Sequence, residues 1–212
     1  MKPEIVIWGG GSQARAIAPI VAAAGSSVVA IVDDTPDLPS PFPDVPIHQG
    51  IEAFRRWLAG RDVSRMGFAI AIGNPHGAVR LKLHDLLIGE GMTPASIVHP
   101  SAVVAADADL SAGCQVFAGA VIASAVRMGR QCIVNSMALV EHDVVLGDAV
   151  EVSPGATVLG LTHIGAFGFV GAGATVLSRL SIGSRVSIAA GAVAAENVPD
   201  GALVSGTTSR VL

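Results

Sequence analysis

The hexad Val140-Glu141-His142-Asp143-Val144-Val145 sets a histidine between two carboxylates. Imidazole exchanges its proton near neutral pH, as a general base must. A carboxylate next to it, here Asp143, orients the ring or holds the imidazolium once it forms. Such a base serves an attacking amine or hydroxyl. Three hexads further on stands Gly160, whose N–H, with no side chain in the way, suits a contact to a polarised carbonyl oxygen. The two work together only in a fold that returns to the same place at that interval.

The chain from Val98 onward has that period. Steps of six run from Val98 through Val104, Leu110, Val116, Ile122, Met128, Val134, Val140, Leu146, Val152, Val158, Ile164, Val170, Val176 and Ile182 to Ile188, and each lands on a large aliphatic side chain. A helix needs apolar positions every 3.6 residues and a lone strand every 2, so a strict six fits neither. It fits a β-solenoid of hexapeptide repeats. Each hexad then forms one short strand and one corner, three hexads close a coil, and coils stack at ~4.8 Å. A β-sandwich would instead show irregular strands with turn signals every 8–12 residues. Stacking carries Gly160 to within one strand spacing of His142.

Of the chain's 212 residues, 51% are hydrophobic and 14% charged, and the net charge is −4. A large core is therefore possible, and the lack of a basic run argues against nucleic acid as a partner. No apolar run is long enough to span a membrane, and Met1-Lys2-Pro3-Glu4 leads straight into a strand, so the expectation is a soluble cytoplasmic protein with no membrane partner. Aromatic residues are scarce at 4%, which suits a narrow prism. Cys114 and Cys132, three hexads apart, fall on successive coils as reduced packing residues, with a disulfide or metal site as the minor alternative.

Ahead of the repeat, Glu4 to Trp8 reads as a buried parallel strand. The turn Gly9-Gly10-Gly11-Ser12-Gln13 follows, then a helix from Ala14 to Ala24 and a strand from Ser26 to Val32 that ends in Asp33-Asp34. This βαβ unit has its glycine turn where α/β sheets bind ligands. Gly9-x-Gly11-x-x-Ala14 is a loose dinucleotide fingerprint, with Asp33 placed to hold ribose hydroxyls. Backbone N–H groups and a helix N-terminus attract phosphate. The proline-rich stretch 35–48 reads as a loop and Ile51 to Leu58 as a short helix. Gly67 to Asn74 reads as a strand running into a second tight turn. Pro75 opens a helix to about Glu90, and Thr93 to Val98 forms a last strand. The expected division is 1–97, a half-Rossmann α/β domain (βαβαβ), and 98–212, an all-β prism of hexapeptide repeats. The second half of a dinucleotide fold is missing, which favours a mononucleotide ligand.

The other histidines read as bystanders: His48, His76 and His84 on loop or helix surfaces, His99 at the domain junction, His163 at a solvated corner. His163 follows His142 by three and a half hexads and so falls out of column. No three-histidine zinc site is assembled, and no metal is expected. Ser136 and Ser153 fall on other hexads and the cysteines out of column with His142. That points to direct transfer without a covalent intermediate.

Throughout its length the chain resembles the PglD/NeuD-type sugar acyltransferases of the hexapeptide-repeat superfamily. The resemblance is carried by Trp8-Gly9-Gly10-Gly11-Ser12, Val32-Asp33-Asp34, Ala71-Ile72-Gly73-Asn74, Ile97-Val98-His99-Pro100-Ser101-Ala102 and the stretch from Asn135 to Gly160, with Glu141-His142-Asp143 its most specific part. It implies a left-handed parallel β-helix that binds acetyl-CoA and assembles as a homotrimer, with the coenzyme groove between neighbours. The activity implied is acetyl-CoA-dependent N-acetylation of a nucleotide-linked (UDP- or similar) amino sugar, or O-acetylation of a sialic-acid-like sugar. His142 matches the base and Asp143 its acidic partner. Gly160 matches the glycine whose N–H polarises the thioester, and Asn135 a polar position near the site. Ala172 and Ala190 match small positions along the pantetheine arm. Gly10, Gly11, Ser12, Gln13, Asp33, Asp34, Gly73 and Asn74 match the nucleotide-sugar region. Gln13 and Glu151, the latter in the coenzyme region, stand where relatives carry histidine. Arg210 in the tail is a candidate contact for a CoA phosphate. Two other readings differ in class: a nicotinamide-dependent oxidoreductase and a non-catalytic trimeric scaffold.

Overall fold

The structure is a computed structural model and describes residues 3–73 and 75–206. Asn74 and the tail that includes Arg210 lie outside the described residues. The chain divides into two compact units, Met1–Ile97 and Val98–Leu212.

In the first unit, β1 (Glu4–Trp8), β2 (Ser27–Asp33), β3 (Ile47–Gln49), β4 (Met66–Ile70) and β5 (Thr93–Pro94) form one sheet, ordered β3-β2-β1-β4-β5. All its pairings are parallel. Helices α1 (Ser12–Ala23), α2 (Gly50–Leu58) and α3 (Gly77–Gly89) connect the strands. Val6, Ile7, Ile31 and Ile70 are fully buried, as a doubly covered parallel sheet requires. Phe54 packs edge-on against Trp8, with ring centroids 6.1 Å apart. Because β2 and β4 flank β1 on opposite sides, the strand order switches at the C-terminal end of β1, where such sheets open a ligand crevice.

Several expectations shift here. β3 takes the last two residues of the stretch read as loop and Gln49 beyond it. Pro75 precedes α3, whose N-cap is His76. Helix α1 starts at Ser12 rather than Ala14. The strand expected over 93–98 is two pieces: Thr93–Pro94 pairs with β4, whereas Ile97–Val98 belongs to a face of the solenoid. Pro94 is tolerated because β5 is an edge strand, and the Ala95 N–H still donates to the Phe68 carbonyl at 2.8 Å before the first ladder ends. His84 is buried rather than on the helix surface, its ring edge-on to Phe68 at 5.6 Å.

The second unit is a left-handed parallel β-helix. Two-residue strands stack into three faces of six, five and seven strands. On the six-stranded face, Val103, Val121, Leu139, Thr157, Thr175 and Val193 pair in succession, an unbroken step of three hexads, or one coil. The aliphatic residue of each hexad turns inward, and from Val116 to Ile188 those side chains are almost wholly buried. Cys114 and Cys132 lie inside with reduced thiols that donate to the Gly129 and Gly147 carbonyls at 3.2 and 3.1 Å. The last coil is shorter, since Ser187 pairs with Leu203.

Corners need a left-handed residue. Asp143 (φ 58), Leu161 (φ 63) and Arg179 (φ 63) take that conformation at one corner of successive coils. Aspartate tolerates it better than most non-glycine residues do.

Leu146, 1% exposed, sits in the interior of the coil that carries His142. Leu146→Ala should cost about 2–5 kcal/mol, read as a lowered denaturant midpoint.

Candidate active site

The strand Leu139–Val140 buries Val140 and turns Glu141 outward, so the next residues, His142 and Asp143, form an exposed corner. Asp143, bent back by its positive φ, brings Oδ2 to 2.9 Å from His142 Nδ1. The His142 N–H donates to Glu141 Oε2 at 3.3 Å. Both carboxylates thus engage the histidine, one at the ring and one at the backbone. The side chains of His142 and Asp143 stay 56% and 52% exposed, which leaves the free ring edge open to an incoming molecule.

That edge lies over Gly160. A Cβ there would meet His142 Cε1 and Nε2 at 2.7 Å, so only glycine lets the ring rest in this position. The coils join by backbone hydrogen bonds on both sides: Leu161 N–H to the His142 carbonyl at 3.0 Å and Arg179 N–H to the Gly160 carbonyl at 3.0 Å. The Gly160 N–H has no acceptor among the described residues. The free ring edge and the Gly160 N–H therefore stand side by side.

One neighbour corrects the sequence reading. Ser124 lies one coil below His142 in the same column, so a serine does stand beside the histidine. Its carbonyl accepts the Asp143 N–H at 3.0 Å, and its hydroxyl donates to Asp107 Oδ2 at 2.6 Å. A count of three hexads backwards from His142, the same arithmetic that finds Gly160, would have found it. The histidine ring turns toward Gly160 on the opposite side, and the serine proton is committed to Asp107.

The remaining candidates on the β-helix lie at other places within the chain. Asn135 closes the strand Ile133–Val134 on the seven-stranded face, its Oδ1 accepting the Ser136 N–H at 2.8 Å. Glu151 is buried on the same face, paired with Ile133 and Phe169. Ala172 and Ala190 stand exposed at the corner after that face. They do not share a corner with Gly160, because the two hexads from Gly160 to Ala172 carry the chain two faces round and not a full coil.

In the first unit the glycine turn is built tightly. Gly9 has φ +108, and a Cβ on it would meet the Ala71 carbonyl oxygen at 2.5 Å. The Gly9 N–H donates to the Val32 carbonyl and the Ala71 N–H to the Trp8 carbonyl, both at 2.7 Å. Gly10 donates to Asp33 Oδ2 at 2.6 Å, and the Thr35 N–H to Asp33 Oδ1 at 2.8 Å. Burial pushes the Asp33 carboxyl up, but the N–H groups of Gly10 and Thr35 outweigh it and hold it below its ordinary value. Gly11 caps α1 and Ser12 opens it, both exposed. As a glycine, the N-cap Gly11 offers no side chain to cap that helix. Gln13 follows, half-buried. Asp34 is exposed, its Oδ1 about 3.5 Å from where a Gly50 Cβ would be. Beside them a cavity of about 190 Å³ is lined by Asp33, Thr35, Asp37, Leu38, Ile47 and Gln49. Gly73 lies in the second turn. Sequence reasoning missed Arg80, 1% exposed, which braces that turn by donating to the Ile72 carbonyl at 3.1 Å. An arginine in the first turn of a helix without a clear apolar face gives no signal that it faces inward.

Among the described residues no group of three or more histidine, cysteine or acidic side chains is gathered as a metal site would need, and no helix is long and apolar enough to cross a membrane.

Residues 4–87 match the PglD N-terminal domain. The GDP-perosamine N-acetyltransferase from Caulobacter crescentus, seen as a histidine-to-alanine variant with CoA and GDP-perosamine, is 30% identical with a TM-score of 0.87, over 96% of this chain and 97% of that one. The acetyltransferase domain of PglB from Neisseria gonorrhoeae is 27% identical with a TM-score of 0.85, over the whole of both chains, and has also been seen with acetyl coenzyme A. WeeI from Acinetobacter baumannii, 24% identical with a TM-score of 0.85 over 98% of this chain and 99% of that one, shares the fold. No curated protein matches the sequence.

A carboxyl held below its ordinary value adds stability above the unfolded value, about 3.9, and loses it as pH falls through the folded one. The thermal midpoint of the native protein should therefore drop more steeply than that of Asp33→Asn below about pH 4, with the native protein the more stable at pH 7. Parallel melting curves check this.

Proposed function

This chain belongs to the hexapeptide-repeat sugar acetyltransferases with a PglD-type N-terminal domain, and from that premise we propose that it is an acetyl-CoA-dependent N-acetyltransferase acting on a nucleotide-linked amino sugar. The observation that carries the reading is the His142 ring, tied at Nδ1 to Asp143 and laid against Gly160. With Nδ1–H donating to the carboxylate, Nε2 carries the lone pair and serves as the base. The sugar amine attacks the thioester carbonyl carbon while Nε2 takes its proton, and the Gly160 N–H steadies the charge on the carbonyl oxygen. The C–S bond then breaks, the thiolate receives a proton, and the products are an amide and free CoA. Asp143 holds the imidazolium between these steps.

Support for the substrates is of two kinds. Relatives of this architecture hold CoA, acetyl-CoA and GDP-perosamine. In this chain, the glycine turn leading into the α1 N-terminus and the Gly10–Asp33 link suit a phosphate- and ribose-type ligand at the switch point of the sheet. The first unit is in this reading the nucleotide-sugar domain, and Gly11, Ser12, Gln13, Asp34 and Gly73 line that ligand. Its second half-domain is absent, which disfavours a nicotinamide cofactor. A homotrimer fits the separation seen within one chain: Asn135, Glu151, Ala172 and Ala190 surround a different corner from His142, and a neighbouring copy brings the two together around acetyl-CoA.

His142→Ala should lower kcat about 10²–10⁴-fold and leave the Kd for acetyl-CoA within a small factor of the native value. Steady-state thiol release and calorimetry check the two halves, and an unchanged kcat would sink the assignment. Gly160→Ala, which puts a methyl group where the ring now rests, should lower kcat on the order of 10²-fold.

A further inference from the structure

Two corners of the prism carry mixed side chains in the left-handed conformation, and the third, after the seven-stranded face, is kept to glycine with one exception. Gly119, Gly155, Gly173 and Gly191 take φ 64–67 there, whereas on the coil of His142 the same column holds Met137 at φ 59. Glycine adopts that conformation freely, and a long side chain adopts it at a cost. Burial within the chain does not offset it: Met137 is 72% exposed, the most of any large hydrophobic residue among those described. Its N–H donates to the Ala118 carbonyl at 2.9 Å, and its side chain lies back over Gly119, where a Cβ would strike the sulfur. The thioether therefore hangs one coil below its own corner. An exposed apolar group on such a backbone, where four equivalent positions use glycine, marks a contact with another molecule.

The prism itself indicates that this molecule is a second copy of the chain. The six-stranded face joins the Met137 corner to the His142 corner. Its paired outward column, from Val103 to Val193, is aliphatic or threonine throughout, whereas that of the five-stranded face holds Asp109, Arg127 and His163. Six strands make the uncharged column's face about 29 Å tall and about 16 Å wide. That is roughly 450 Å² before the flanking corners are added, against about 800 Å² per partner in a standard interface. Three copies that turn this face to a common axis set the Met137 corner of each beside the His142 corner of the next. Cyclic symmetry about an axis along the prism keeps equal coils at equal height. The thioether, level with Gly119, then meets the next corner of that same coil in the neighbour, which is Ala125. In the left-handed column there, Ala125 precedes Asp143, Leu161 and Arg179 and is the smallest of the four. A flexible thioether fits such a seat.

We propose that Met137 of each copy seats on Ala125 of the next and closes the lower side of that neighbour's His142–Asp143 corner. This rests on the function proposed above and on its homotrimer. It makes Met137 a positioning residue and catalysis conditional on assembly, because the His142–Asp143 pair, half-exposed in one chain, is covered only when a second copy arrives.

The test is sedimentation velocity over a dilution series, with thiol release from acetyl-CoA measured at the same concentrations. It uses the full-length protein and its Met137→Gly, Met137→Leu, Ala125→Leu and double Met137→Gly/Ala125→Leu variants. Met137→Gly gives the corner the residue its column otherwise uses, so the thermal midpoint of the dissociated chain should not fall. The concentration at which the trimer is half dissociated should rise about 10- to 100-fold. Met137→Leu should stay close to the native value, and thiol release per chain should follow the trimer fraction in every variant. Ala125→Leu should weaken assembly too, but the double variant by less than the product of the two, because the leucine fills the space the methionine left. Within one chain the two residues occupy different corners, so effects that fail to multiply arise only across copies. Native assembly of Met137→Gly, effects that multiply, a monomeric native protein, or full activity in the dissociated chain would overturn the proposal. Trimers that respond as expected yet release no thiol with any amino sugar would remove the function proposed above and leave the Met137 contact standing.

Discussion

Backbone hydrogen bonds between coils, repeated at a fixed step of three hexads, are the constraint from which the rest of the C-terminal unit follows. Each two-residue strand is too short to be stable alone. Stacked, the strands satisfy their N–H and C=O groups on both sides while an unbroken line of aliphatic side chains fills the centre. The register admits no slip, because a shift of one residue would turn every interior side chain outward. His142 and Gly160 are neighbours because the backbone can stack in no other way. No mobile loop is needed to bring the His142 ring and Gly160 together.

The N-terminal unit solves a related problem by different means. A parallel sheet leaves a crevice where its strand order switches, and Gly9 closes the gap between β1 and the Ala71 turn by having no side chain. Gly10 then ties the turn to Asp33, which fixes the crevice before any ligand arrives. The carboxylate is held by two N–H groups and keeps its charge. Arg80, buried behind the second turn, is the costliest group in this unit to place, and its bond to the Ile72 carbonyl explains where it is.

Much of this was legible in the sequence, and what was not has physical causes. The six-residue period gave the prism, its faces and the His142–Gly160 column, since a repeat ties number to position. Ser124 was equally legible and was missed by looking in one direction along that column. Ala172 and Ala190 could be numbered but not joined to Gly160, as two hexads span two faces and a full coil needs three. In the α/β unit no period fixes boundaries. There β3 arose at the end of a proline-rich loop, His84 turned inward against Phe68, and the last strand divided between two sheets after Ala95, all through tertiary packing that local pattern does not encode. The short final coil, where Leu203 pairs with Ser187, likewise departs from the period without a signal in the hexads.

The central claim is that one backbone column serves amide formation on a nucleotide-linked sugar. Its most direct test is thiol release from acetyl-CoA across a panel of nucleotide-linked amino sugars, each paired with the same sugar lacking the amine. The account predicts release with at least one amino sugar and none with its partner. Equal release from both members of a pair, or silence throughout while acetyl-CoA still binds by calorimetry, would contradict it.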